Sequence, residues 1–242
     1  MPDVAKPKIA ILCWEAGQVP RGLMQLEGLV GNSTNLDTYP FPVRICRIEG
    51  ANLETVLENP SEAVLRRMIG ESKKLIGEGI RAITTSCEFN AVFQRELAEA
   101  IPVPVFTSSL LQVPFVCRTL SPDQRVAVIT AKHAALKRAH LQAAGITEKM
   151  PVDIYGMESS SEWNRIFSDP DDSLDLDLVT KEVERIALGA IAAQPATGAI
   201  VLECTDLPPF AAALRESTRL PVFDFQTMMG HVARAVGAAP NY

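Results

Sequence analysis

Two segments, "TTSCEF" (84–89) and "LECTDLPP" (202–209), each carry a β-branched or apolar run into a cysteine, Cys87 in the first and Cys204 in the second. A thiol placed where a strand passes into a helix meets the positive end of the helix dipole and backbone N–H groups without helical partners. That setting favours thiolate and makes cysteine a usable base or nucleophile near neutral pH. The same N–H groups can hold a carboxylate or a developing enolate. Two such thiols on opposite faces of one carbon acid can remove a proton from one side and return one from the other, provided both titrate near the working pH. Most cysteines are small apolar fillers. Cys46, inside a strand pattern, Cys117, near a lobe junction, and Cys13, at the end of the first strand, take that reading.

The two cysteines lie 117 positions apart, and the chain repeats itself at that spacing. Lys8-Ile9-Ala10-Ile11-Leu12 falls on Arg125-Val126-Ala127-Val128-Ile129, and Ala82-Ile83 on Ala199-Ile200. Beyond the cysteines the register holds without a gap. Phe93 meets Phe210, Leu97 meets Leu214, Glu99 meets Glu216, and Pro104-Val105-Phe106 meets Pro221-Val222-Phe223. Between residues 14 and 60 the match fades. Such a repeat implies an internal duplication with diverged loops.

Apolar runs over 8–13, 43–48, 80–86, 103–107, 125–130, 152–156, 198–203 and 220–225 predict strands, and they alternate with helical patterns. Residues 61–77, with Ser61 as N-cap, carry Val64, Leu65, Met68, Ile69, Leu75 and Ile76 at helical spacing. Further helices are predicted over 91–100, 133–144, 177–193 and 208–217. Strands apolar on both faces and separated by helices indicate a mainly parallel, covered sheet. The expected fold is therefore α/β, with two pseudo-symmetric doubly wound lobes: residues 1–117 plus 225–242, and residues 118–224. In such sheets the binding crevice lies beyond the carboxyl ends of the strands. The active site is expected there, between the lobes, with both thiols facing it.

The net charge of −6 comes without a basic stripe, which argues against nucleic acid as a partner. The first residues do not read as a secretory signal. No run is long and apolar enough for a transmembrane helix. Five cysteines, odd in number and without CxxC spacing, fit reduced cytoplasmic thiols better than disulfides or zinc. The acidic run 168–177 lacks the glycine and distal Glu of a calcium loop, so it predicts a solvated loop and helix start. His133, His140 and His231 fall in helical stretches without metal-ligand spacing, as surface or capping groups.

"TTSCEF", "LECTDLPP" and the repeat that relates them resemble the aspartate/glutamate/hydantoin racemase superfamily. "PVPVFTSSLLQVP" (102–114) and "GN…FPVR" (31–44) resemble an uncharacterised branch of it. The resemblance implies metal-free, cofactor-independent racemisation or epimerisation of an amino acid or related carbon acid. Cys87 and Cys204 would be the acid and base, and the assembly a homodimer or higher homo-oligomer. Decarboxylation or cis–trans isomerisation on the same fold, or a ligand-binding relative without turnover, are the alternatives. This sequence departs from the glutamate and aspartate racemases at several points. Glu88-Phe89 replace the Asn-Thr that follows the first cysteine there. Asp206 stands where the glutamate racemases have His, and their Asp-Ser loop is replaced by "CWEAGQVPRG" (13–22). A carboxylate at 88 would repel an acidic substrate or pair with an amino group. Candidate contacts to a small carboxylate substrate are Glu88, Phe89, Thr205 and Asp206 beside the cysteines. Arg21 and Asn32 lie in the loop after the first strand and are carboxylate binders or solvated. Thr107 and Ser108 end a strand and are cleft residues or helix caps.

Overall fold

The computed structural model describes residues 6–17 and 19–239; residues 1–5 and 240–242, at the ends of the expected first lobe, lie outside the described residues. In chain order the first half runs β1 (Ile9–Cys13), α1 (Arg21–Glu27), β2 (Val43–Arg47), α2 (Glu62–Gly77), β3 (Ala82–Thr85), α3 (Gln94–Ala100), β4 (Val105–Phe106) and α4 (Val113–Thr119). The second half runs β5 (Arg125–Thr130), α5 (Arg138–Ala143), β6 (Val152–Gly156), α6 (Ser161–Ser168), α7 (Leu176–Ala193), β7 (Thr197–Leu202), α8 (Ala211–Thr218), β8 (Val222–Phe223) and α9 (Phe225–Ala235).

All strand pairings are parallel, in two four-stranded sheets of order β2-β1-β3-β4 and β6-β5-β7-β8. The second order is the first repeated, so the duplication read from the sequence is a duplication of topology. β1 and β7 are buried along their whole length. Such strands need apolar residues on both faces, hence the unbroken runs "IAILC" and "TGAIVL". In each sheet the order reverses between the first and third strands of the repeat, and a crevice opens at their carboxyl ends. Cys87 follows β3 there, and Cys204 follows β7.

Helices α4 and α9 hold equivalent places in the repeat, each after the last strand of its lobe, and each reaches across to the other lobe. Phe225, Met228, Met229 and Val232 of α9 share an apolar cluster with Ile9, Ile11 and Ala82 of the first sheet. Val113 and Val116 of α4 share one with Val126, Val128, Ala199 and Val201 of the second. Phe225 is fully buried, and burying a side chain of that size contributes about 1.5–3 kcal/mol. Asp224 N-caps α9, accepting from the Thr227 N–H at 2.8 Å.

The loop after α1 also spans the lobes. Gly31 there has φ of +106°, and a Cβ on it would sit 2.9 Å from the Cα of Pro209. Its carbonyl accepts from Gln226 Nε2 at 2.9 Å. Gly31→Ala should therefore cost about 1–3 kcal/mol from strain and clash together. Thermal unfolding should register this as a melting temperature lower by several degrees, at about 2–4 °C per kcal/mol for a chain of this size. An unchanged melting temperature would show that the junction yields.

One expectation needs correction. The segment holding Arg21 was expected as an open loop and is instead α1, because Gly22 lets the helix pack closely: a Cβ there would lie 3.0 Å from Leu174 Cγ. His140, expected as a surface or capping group, is the latter: it is 3% exposed, its Nδ1 accepting from the Lys137 N–H at 3.0 Å.

Candidate functional site

One cavity of about 60 Å³ lies where the two crevices meet, walled by Cys87 and Cys204 together. A water needs roughly 10–15 Å³ on this measure, so the space suits a compact ligand of a few heavy atoms. Glu88, Phe89, Thr205 and Asp206 line it, as the sequence predicts. So do Trp14, Glu27, Ser33, Thr34, Trp163, Phe167 and Glu203, none of them singled out from the sequence. Four carboxyl groups and four aromatic rings surround the space, and no lysine, arginine or histidine is among its described lining residues.

Each cysteine is held by its strand end. Cys87 opens a 3₁₀ turn (Glu88–Phe93), its sulfur receiving the Phe89 N–H and its carbonyl the Thr85 hydroxyl at 3.0 Å. The Cys204 thiol donates toward Asp206 Oδ2 at 3.8 Å. Asp206 Oδ1 accepts from Asn32 Nδ2 at 2.7 Å, and Asn32 Oδ1 accepts from the Thr34 N–H and hydroxyl, both at 3.0 Å. Asn32 thus serves the site through Asp206 and does not line the pocket. Thr205 points its hydroxyl across the lobe junction, donating to the Ser86 carbonyl at 2.5 Å.

Of the remaining sequence candidates, Ser108 and Thr107 stand behind the wall. Ser108 N-caps a 3₁₀ turn, accepting from the Leu110 N–H at 3.1 Å, and the Thr107 hydroxyl donates to Gln94 Oε1 at 2.7 Å. Arg21 lies outside the pocket, beside Pro170 and Asp171 on the surface. Cys13 packs in the apolar cluster under α9 and is a filler.

Helix-end placement led to the expectation of thiolates near neutral pH, and the structure reverses it. Burial pushes both thiols up, and the negative charges of Glu203, Asp206 and Glu88 push them further. The turns that follow the cysteines are short 3₁₀ segments, too small to offset that desolvation. Burial also raises Asp206, from 3.8 to about 7, against the lowering effect of its Asn32 bond. Glu203 rises from 4.5 to about 7 for the same reason, and Glu88 rises well above its ordinary value, driven by burial and by the charge of Glu203.

The sequence offered one missed signal for Glu203: an acid closing the apolar run "GAIVLE" directly before the cysteine. The two tryptophans gave none, since residues 149 positions apart meet only through the lobe arrangement.

Fold and site together define a two-lobed α/β scaffold that presents one thiol from each lobe to a shared pocket. The chain belongs to the Asp/Glu/hydantoin racemase family, whose model matches residues 59–235. It is 31% identical over 193 residues to dimethylsulfoniopropionate lyase 7 of Emiliania huxleyi, a match covering 76% of this chain and 56% of that protein. The chain thus spans about half the length of the Emiliania relatives it matches. Among solved structures it resembles an aspartate racemase homologue from Pyrococcus horikoshii OT3, with TM-score 0.61 and 16% identity over 96% of this chain and 100% of that one. It also resembles arylmalonate decarboxylase, with TM-score 0.57 and 16% identity over 97% and 95%. At that identity the structural likeness speaks for the fold alone. No described helix is long and apolar enough to cross a membrane.

Proposed function

We propose that this chain is a lyase acting on a small carboxylate with a cationic group on its β-carbon, dimethylsulfoniopropionate being the model substrate. The observation that carries this reading is the pocket wall, with its carboxyls and aromatic rings and without a cationic side chain. Carboxylates and the faces of Trp14, Trp163, Phe89 and Phe167 suit a sulfonium or quaternary ammonium group, by charge and by cation–π attraction. The two carboxylates of an acidic amino acid would meet like charge there. The lyase relatives lend the reading its reaction.

Cys204, in contact with Asp206, is the base in this reading. Asp206 takes the thiol proton, and the thiolate removes a proton from the substrate's α-carbon. The electron pair left behind forms the α–β double bond as the β-carbon–sulfur bond breaks. Dimethyl sulfide and acrylate leave, and the proton returns to solvent through Asp206. A cationic substrate also eases the first step, because a positive charge beside a buried thiol lowers its pKa. Ser33 offers a hydroxyl group to the substrate carboxylate, since the Thr34 hydroxyl already donates to Asn32 Oδ1.

A second reading, racemisation by both cysteines, keeps one observation in its favour: the duplicated thiols share the cavity. Incubation with dimethylsulfoniopropionate, followed by gas chromatography for dimethyl sulfide and NMR for acrylate, tests the lyase. Aspartate, glutamate, hydantoins and arylmalonates are assayed in parallel by chiral chromatography. Dimethyl sulfide release is the expected result. Racemisation of a free amino acid without it would overturn the lyase in favour of the second reading. Turnover of none of these, with thiols unreactive near neutral pH, would leave a binding protein.

A further inference from the structure

Glu88 directly follows one cysteine and Glu203 directly precedes the other. In the repeat, Glu88 matches Thr205 and Ser86 matches Glu203. The contacts across the lobe junction obey the same pseudo-two-fold relation. Thr205 meets Ser86 through a hydroxyl–carbonyl bond; on the matching side Glu88 and Glu203 line the same cavity, with the Ser109 hydroxyl 3.3 Å from both Glu88 Oε2 and the Glu203 carbonyl. One side of the cysteine pair is thus closed by a neutral hydrogen bond, and the other by two acids.

Both acids are out of solvent, Glu88 at 2% and Glu203 at 0% exposure. Each has one satisfied oxygen. Glu88 Oε2 accepts from the Ser109 N–H at 2.6 Å, and Glu203 Oε2 from the Thr130 hydroxyl at 2.7 Å. Each also has one buried oxygen without a hydrogen-bond partner, Oε1 in both cases. Ser109 ties the two sides together, its hydroxyl donating to the Leu202 carbonyl at 2.6 Å while its N–H serves Glu88. The other ionisable groups about the pair are Cys87, Cys204, Asp206 and Glu27 on the cavity wall, and His140 of α5, whose ring meets Phe89 edge-on at 5.6 Å. Two ionised carboxylates without a facing cation are strongly disfavoured in such a place.

We propose that Glu88 and Glu203 form one carboxyl–carboxylate unit that holds a single proton across the lobe junction at neutral pH and so positions Cys87 and Cys204 toward each other. A shared proton gives each orphaned oxygen its partner and leaves one buried charge instead of two. Losing that proton sets like charges against each other beside the thiols, loosening the junction on that side while the Thr205 bond stays. The pair positions the reacting groups from the cavity wall of which both acids are part. The inference stands apart from the lyase reading, and its test uses no turnover.

Folding raises Glu203 from 4.5 to about 7, so the folded chain keeps a proton that the unfolded chain has lost. The associated stability is complete below about pH 4.5, declines as pH rises toward about 7, and is gone above that. Glu203→Gln, whose amide can donate to Glu88 without a proton, should flatten this decline in melting temperature. Asp206→Asn should leave the Glu88–Glu203 share of it in place. In the same Glu203→Gln chain, iodoacetamide alkylation of Cys87 and Cys204, followed by peptide mass spectrometry, should reach half-maximal rate at lower pH by roughly one unit. Glu88→Gln is the second variant, expected to behave likewise. Infrared spectroscopy of the unaltered chain needs no variant: a protonated, solvent-excluded carboxyl band should persist at pH 7. Its absence, or variants whose melting and alkylation profiles superimpose on those of the parent, would overturn the proposal.

Discussion

Cys204→Ser should lower dimethyl sulfide release by roughly 10³-fold, while Cys87→Ser lowers it by about tenfold or less. Elimination needs one base, and a serine hydroxyl in this pocket cannot supply it. The asymmetry rests on geometry: both sulfurs receive a backbone N–H, but among the described hydrogen bonds only the Cys204 thiol has a carboxylate, Asp206 Oδ2 at 3.8 Å, to take its proton. Steady-state rates for the two variants, with unchanged melting temperatures as the control for folding, decide the matter. Equal and near-total loss in both, with each retaining α-proton exchange from one face, would point to two-base racemisation.

Asp206→Asn is expected to reduce kcat by about 10²-fold, within the usual range for losing an acid–base partner. Asparagine still accepts from Asn32 but cannot take the thiol proton. The pH profile should change shape as well. Asp206 has its pKa raised to about 7, so its basic form, and with it the acid limb of kcat/KM, grows as pH rises through that value. In the asparagine variant that limb should vanish. A variant with reduced kcat but the parental acid limb would assign that limb to another group, and would remove Asp206 as the partner of Cys204.

Much of this architecture was legible in the sequence, for a plain reason: strands buried on both faces leave uninterrupted apolar runs. All eight predicted strands exist, and the 117-residue register anticipates that β5–β8 repeat the order of β1–β4. Cys87, Glu88, Phe89, Cys204, Thr205 and Asp206 reach one cavity because each sits within four residues of a duplicated strand end. Helix α1 was missed because a glycine near its start reads as loop punctuation, whereas here it permits close packing on Leu174. Arg21, read as a carboxylate binder or solvated, is fixed at the exposed outer end of that helix. The charge state of the thiols was misread because a local rule about helix ends ignores desolvation, which depends on what the rest of the chain brings nearby. Trp14 and Trp163 are invisible to any local pattern. They matter only once α6 of one lobe stands against the strand end of the other.

The exchange of α4 and α9 has a consequence for the order in which the molecule can be made. A ribosome delivers β1 long before α9, yet the face of the first sheet bearing Ile9, Ile11 and Ala82 is covered largely by Phe225, Met228 and Val232. Until α9 emerges that face lacks most of its cover. The amino-terminal half therefore cannot mature as a finished unit while the rest is being translated, although vectorial synthesis ordinarily lets early domains fold first. The nascent chain carries a partly open apolar sheet until α9 emerges, and damage to α9 is felt at β1.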